Sequence, residues 1–421
     1  MSLTRDDRYI VLALGDHGTL AGRAASPYEP TCALIPFTAR STSNNGSENE
    51  VVSANGTVAD WQRLREHWKT LFAASLGFPP GGAPTHPVLL LTPSHPSRWT
   101  RADDQLAAQF FFEQLASPGL LLAPTALASI LGSGGAVTGI VVDVGVDCTD
   151  VSVVVESAVL PTAARLLPIG TRAIASAWRA AGAPLQQQQL TSTGGVFDAS
   201  TWTDRALAAD YPGLWSAEPL AAAAAAPTTT AAGPKSPVAM ANPIAAAIAS
   251  GPTATSTDGV PAVPVPTHPA PLIATPDAQA AVIASGLVDA IVAGINDAAA
   301  AATSAWPAPG TGFDPAAVRA ALAETLVVTG VGASSVRGLA AAVAAQVSVS
   351  KGGVTPVRFV ARSCPEFMDA YKARPDWIAY LGGATIAKTM FSDYRSFVTR
   401  EDYNSHGPGI INTKNYGGIV L

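Results

Sequence analysis

The chain has 421 residues, 48% of them hydrophobic and 13% charged, and its 25 Lys+Arg against 31 Asp+Glu leave a formal charge of -6. So acidic a chain excludes a protein whose main work is clamping nucleic-acid phosphates, and the absence of cation clusters leaves no import-type basic run. Three distant cysteines (Cys32, Cys148, Cys364) exclude a disulfide framework and fit a reducing compartment.

In chain order, the opening MSLTRDDRYIVLAL mixes acids with its bases ahead of a short apolar run, which is not the pattern of a secretory leader. Tyr9–Leu14 reads as a strand, and the polar stretch Thr38–Asn55 as a mobile loop. Asp60–Phe72 has helical spacing, with Trp61, Leu64, Trp68, Leu71 and Phe72 on one face as core anchors. The unbroken apolar run of His86–Thr92 reads as a buried parallel strand. Thr100 caps a helix whose apolar face is Leu106, Phe110, Phe111 and Leu115. Gly139–Val142 and Val151–Val155 are strands flanking a turn. Strands separated by helices predict an α/β layer fold.

Between Tyr211 and Pro276 there are three charged residues and thirteen prolines among Ala and Thr. Proline at that density removes backbone donors, so residues 206–276 read as a flexible low-complexity insertion. Beyond it, Ala280–Ala302 is apolar but carries Asp289, Asn296 and Asp297, which favours a soluble helix over a membrane span. The strand Leu326–Thr329 leads into Gly330-Val331-Gly332, read as a turn that opens the helix Leu339–Val347.

Two pieces echo one another. Ile10–Leu14 runs into Gly15-Asp16-His17-Gly18-Thr19, and Ile140–Val144 runs into Gly145-Val146-Asp147-Cys148-Thr149, each a strand, a G-x-x-x-T turn and a strand. Two such hairpins also arise by coincidence. With the third glycine-rich turn, however, they would suit a nucleotide held between two lobes, since glycines at strand ends let backbone N–H groups approach phosphate. With six scattered histidines, among them His86 and His406, no metal site is expected, and Cys148 reads as a small buried filler.

Four ordered blocks resemble actin: Gly56–Ser94, Gly139–Ala158, Tyr380–Ala387 (YLGGATIA) and Phe397–Pro408 (FVTREDYNSHGP). The resemblance implies an actin-like α/β fold of two lobes, each on an RNase H-like core, with the Ala/Pro/Thr-rich insertion in place of much of subdomain 4. The implied division is residues 1–138 for lobe I, 139–205 and 277–378 for lobe II, 206–276 for the insertion, and 379–421 for a return to subdomain 1.

Residue by residue, the same resemblance implies a vestigial nucleotide pocket at Gly15, Asp143, Gly145, Gly330 and Gly332. The first hairpin of actin offers an Asp and a phosphate-binding Lys, matched here by Ala13 and Leu20. In the second, Val146 replaces an Asp, Asp147 a glycine, and Asp150 the histidine that positions the attacking water. Thr125 stands where a Gln polarises that water. Asp16 and Asp147 would point negative charge at the same phosphate oxygens. No catalytic residue and no cofactor are therefore expected, with ATP and magnesium doubtful and hydrolysis not expected.

Among actin relatives, Ile140–Asp150 (IVVDVGVDCTD), Leu122–Ala128 (LAPTALA) and the T-R-E-D-Y-N ending resemble the actin-related subunits of fungal SWI/SNF- and RSC-type chromatin remodelers. That resemblance implies a nuclear, non-enzymatic subunit. It would pair with a second actin-related protein on a long helical segment of the remodeler ATPase, with no direct sequence-specific nucleic-acid binding, no membrane and no filaments. The partner surface it implies is the cleft between subdomains 1 and 3, at Leu131, Ile386, Thr389, Met390 and Phe391. The alternatives are a pointed-end dynactin subunit and an ATP-hydrolysing actin or actin-fold sugar kinase.

Overall fold

The computed structural model describes residues 9–16, 18–24, 32–37, 51–78, 84–180, 285–305, 315–335, 339–349, 358–365, 368–372 and 374–414. They fall in one compact unit, Met1–Ser216 with His268–Leu421; the second unit, Ala217–Thr267, and the whole 206–276 insertion lie outside the described residues.

Lobe I is built from β1 (Ile10–Leu14), β2 (Gly18–Arg23), β3 (Cys32–Pro36), α1 (Trp61–Ala74), β4 (Val88–Thr92), α2 (Arg101–Gln109), β5 (Gly119–Pro124) and α3 (Thr125–Gly132). Lobe II follows with β6 (Gly139–Val144), β7 (Thr149–Val155), β8 (Ala158–Val159), β9 (Arg165–Leu167), α4 (Thr171–Ala180), α5 (Leu287–Ala305), α6 (Pro315–Ala323), β10 (Leu326–Thr329), α7 (Gly330–Ser335), α8 (Leu339–Val349) and β11 (Ala361–Arg362). The chain then returns through α9 (Asp369–Lys372), α10 (Ile378–Met390), β12 (Val398–Thr399) and α11 (Arg400–His406).

One sheet has the order β12-β5-β4-β1-β2-β3 and the other β11-β10-β6-β7-β8, with β9 also on β7. In each, an antiparallel hairpin (β1–β2, β6–β7) continues into parallel neighbours (β4 and β5, β10 and β11). The same architecture therefore occurs twice, as the echo in the sequence suggested. β12 pairs with β5 and closes the outer edge of the first sheet.

The unbroken run of β4 has a physical cause. Val88 and Leu90 pack among α1 and α2, whereas Leu89 and Leu91 face a second cluster that includes Tyr380, Leu381 and Ala384 of α10. Both faces are dry, so no polar alternation is left. On α1, Leu64, Trp68, Leu71 and Phe72 are buried and Trp61 is half-buried, and Asp60 caps the helix through Gln62 and Arg63.

Three expectations shift. The Thr100 helix has its capping box with Asp103, but the chain passes into a π-helical turn at Phe110–Gln114, which buries Phe110, Phe111 and Phe112 together and leaves Leu106 half-buried. Of the loop predicted over 38–55, residues 38–50 lie outside the described residues. Val51 and Val52 are core residues, held by a bridge between Val52 and Val58. The third glycine turn is itself helical: Gly330–Ser335 forms α7, and α8 begins separately at Leu339. Among the described residues no helix is long and apolar enough to cross a membrane.

Candidate functional site

The two hairpins meet between the lobes in matching register. Leu14 pairs with Thr19 and Val144 with Thr149, and the Gly15 and Gly145 N–H groups each close their turn on a carbonyl 2.9 Å away, that of Gly18 and that of Cys148. In that register the cross-strand pair Ala13–Leu20 corresponds to Asp143–Asp150. Ala13 and Leu20, matched by the resemblance to metal-ordering and phosphate-binding positions, are buried in the apolar cluster beneath α10. Thr125 is likewise turned away, its hydroxyl donating to the Thr92 carbonyl at 2.8 Å.

The acids are not aimed at an open phosphate site, which corrects the expectation for Asp16 and Asp147. Asp16 accepts from the Arg98 guanidinium and lies over Gly145, where even a methyl group would collide with its carboxylate. The Cys148 thiol also points to Asp16, at 3.8 Å; burial first, and then that carboxylate, push its pKa up to about 12, which keeps it in the thiol form. Asp147 turns to the rim and pairs with Arg172 at 2.7 Å. Each carboxylate has a cation that sequence reading missed: Arg98 in the loop after β4, and Arg172 in the first turn of α4.

Asp150 is 3% exposed and held from three sides. The His95 N–H donates to it at 3.0 Å, the Ser152 hydroxyl at 2.8 Å, and Arg98 Nη1 stands 4.0 Å away. Burial raises its pKa while Arg98 and the hydrogen bonds pull it back. Asp143, opposite Asp150, has no such donor set among the described residues; burial pushes its pKa up to about 7 against the attraction of Arg98. Gly330, at φ 84°, is pressed against the Asp143 carboxylate and the Val144 backbone, and Gly332 against the Val144 side chain.

A nucleotide triphosphate with magnesium needs unpaired cations and open backbone donors around its phosphates. In this cleft the Gly15 and Gly145 N–H groups close their own turns, Asp16 covers Gly145, and Arg98 is paired with the chain's own acids. The residues do not fit that group.

The residues expected at a partner surface divide. Ile386 and Phe391 are 2% and 1% exposed; Phe391 packs on Tyr9 and Phe397 with ring centroids 5.1 and 5.0 Å away, so both are core and correct the expectation. Thr389 is exposed, and Leu131 and Met390 are half-buried. Nor do the last three converge. Gly132, next to Leu131, abuts Ile378 and Gly382 of α10, and Met390 lies eight residues beyond Gly382, about 12 Å along the helix axis. Elsewhere, a groove of about 810 Å³ opens beside β12, lined among others by Pro84, Tyr394, Arg395, Arg400 and Lys414.

Residues 35–191 match the family model described as Actin. That stretch, less than half of the chain, resembles an actin-family domain. The two duplicated sheets fit an actin-like α/β fold. A subunit of the SWI/SNF and RSC complexes from Schizosaccharomyces pombe, arp9, is 34% identical over 117 residues, 28% of this chain and 22% of that protein. The chain thus matches about a fifth of that relative's length, within the actin-related group that the sequence motifs resemble.

Proposed function

We propose that this chain is a non-catalytic, actin-related subunit of a nuclear chromatin-remodeling complex. The observation that carries the reading is its similarity to the S. pombe SWI/SNF and RSC subunit. The self-paired cleft supports it, because Asp16, Arg98 and Asp150 satisfy one another where an ATPase would hold phosphate.

In this reading the chain pairs with a second actin-related protein on a helical segment of the remodeler ATPase, the one associated with its helicase and SANT regions. It helps couple ATP hydrolysis there to DNA translocation. The lobes divide at residue 138, resume after the insertion at 277, and close with 379–421. An amphipathic helix in an apolar cleft is a common recognition mode. The reachable part of the expected surface is Thr389 and Met390 at one end of α10 and Leu131 at the other, with Ile386 and Phe391 holding the helix from beneath.

The test is affinity purification of the tagged chain from its native cells, followed by mass spectrometry. A remodeler ATPase and a second actin-related protein are expected. Recovery of dynactin subunits, or of neither protein, overturns the proposal. For the surface, Thr389→Arg and Met390→Arg should lose the ATPase while keeping the wild-type melting temperature.

A further inference from the structure

We infer that Arg98 is a built-in clamp between the lobes, holding the two hairpin turns together where the fold would otherwise rely on a bound nucleotide. The inference concerns the isolated chain and goes beyond its assignment to a complex.

Acids converge on one point from both lobes. Asp16 comes from the first turn, while Asp143 and Asp150 face each other across β6 and β7. Like charges directly opposite on neighbouring strands destabilise a sheet, and a buried carboxylate needs a paired charge. The matching pair of lobe I is Ala13–Leu20, which needs nothing. The facing acid pair therefore belongs to lobe II alone, and lobe I, which adds Asp16, answers all three acids with Arg98.

The guanidinium is 4% exposed and engaged on every edge. Nη2 donates to Asp16, Nη1 stands 4.0 Å from Asp150, and Nε donates to the Gly56 carbonyl at 3.4 Å. Gly56 has φ 74°, and any side chain there would strike Arg98, so that residue lets the backbone close over the planar group. The loop carrying Arg98 is fixed. The Arg98 N–H donates to the His95 carbonyl at 2.9 Å, and Trp99 Nε1 donates to Asp104 of α2 at 2.6 Å. The His95 N–H crosses to Asp150, so one loop spans the cleft with a backbone donor and a side-chain cation.

Removing one partner of a buried pair leaves the other charge uncompensated, so the clamp should be visible as lobe opening and not only as lost stability. Hydrogen exchange of the full-length chain, followed by mass spectrometry, reads it. In Arg98→Met, amides of residues 143–152 in the opposite lobe should exchange at least about tenfold faster, while those of α1 keep the wild-type rate. Arg98→Lys, which retains the charge without the fork, should fall between and serves if the methionine variant does not fold. Arg98→Met combined with Asp150→Asn should lose less stability than the sum of the single changes. Magnesium-ATP should leave the wild-type melting temperature within about 2 °C. Unchanged exchange over 143–152, strictly additive losses, or a larger shift with magnesium-ATP each overturn the clamp. None of these measurements reads co-purification with the remodeler, so the two proposals fail separately.

Discussion

Asp143 and Asp150 stand directly opposite each other on β6 and β7, yet among the described residues only Asp150 has a set of hydrogen-bond donors. Asp143 bears the cost of that arrangement. Burial lifts its pKa from 3.8 to about 7, so the folded state keeps a proton that the unfolded state releases as pH rises from about 4 to 7. Stability must therefore fall with rising pH across that window, and the full penalty is present above 7. Asp143→Asn should stabilise the protein at pH 8 by roughly 2–4 kcal/mol and leave it little changed at pH 4. Urea unfolding at the two pH values measures this.

His67 gives the opposite slope. Burial holds its pKa down at about 4, and its Nε2 is buried without a hydrogen-bond partner among the described residues, with Phe37 packed edge-on 4.8 Å from the ring. Between about 6.5 and 4 the unfolded chain gains a proton that the folded chain refuses, so stability falls as pH is lowered through that window. His67→Leu should flatten the acid limb by roughly 1–2 kcal/mol, seen in unfolding curves at pH 4.5 and 7.

The α3–α10 pair predicts a large effect from a small substitution. Gly382 lies against the Ala128 backbone and Gly132 against Ile378, so an added methyl has no flexible side chain to displace. Gly382→Ala would otherwise favour the helix by up to about 1 kcal/mol. It should instead lower stability by roughly 1–3 kcal/mol as the backbones are forced apart. Differential scanning calorimetry would show the lowered melting temperature.

On the cleft rim, the Arg172–Asp147 bridge is half in water, with side-chain exposures of 46% and 26%. Exposed pairs contribute little, so Asp147→Ser should change stability by less than about 1 kcal/mol. Asp16→Ser should cost several times more, because it leaves Arg98 buried with one partner fewer. Thermal melts of the two variants side by side make the comparison.

Much of the architecture is legible in local pattern. The run VLLLT of β4, the face Leu64, Trp68, Leu71 and Phe72 of α1, and the capping box at Thr100–Asp103 each depend on neighbours in the chain. The repeated G-x-x-x-T turns also announced two equivalent hairpins, and the matching registers bear that out. The π-helical turn at Phe110 was hidden, since three consecutive phenylalanines satisfy a helical pattern without showing where the extra residue enters.

The roles of the cleft residues could not be read in the same way. Matching positions to actin made Asp16 a repellent facing phosphate and Phe391 a contact for a partner. Arg98, 82 positions from Asp16, makes the first a buried ion pair, while Tyr9 and Phe397 make the second a core residue. Periodicity, caps and turns arise from interactions a few residues apart, which is why strand and helix could be recognised from the chain as written. Charge compensation and burial depend on which distant segments arrive at the same point, and that is settled only once both sheets have formed and the lobes have closed on one another.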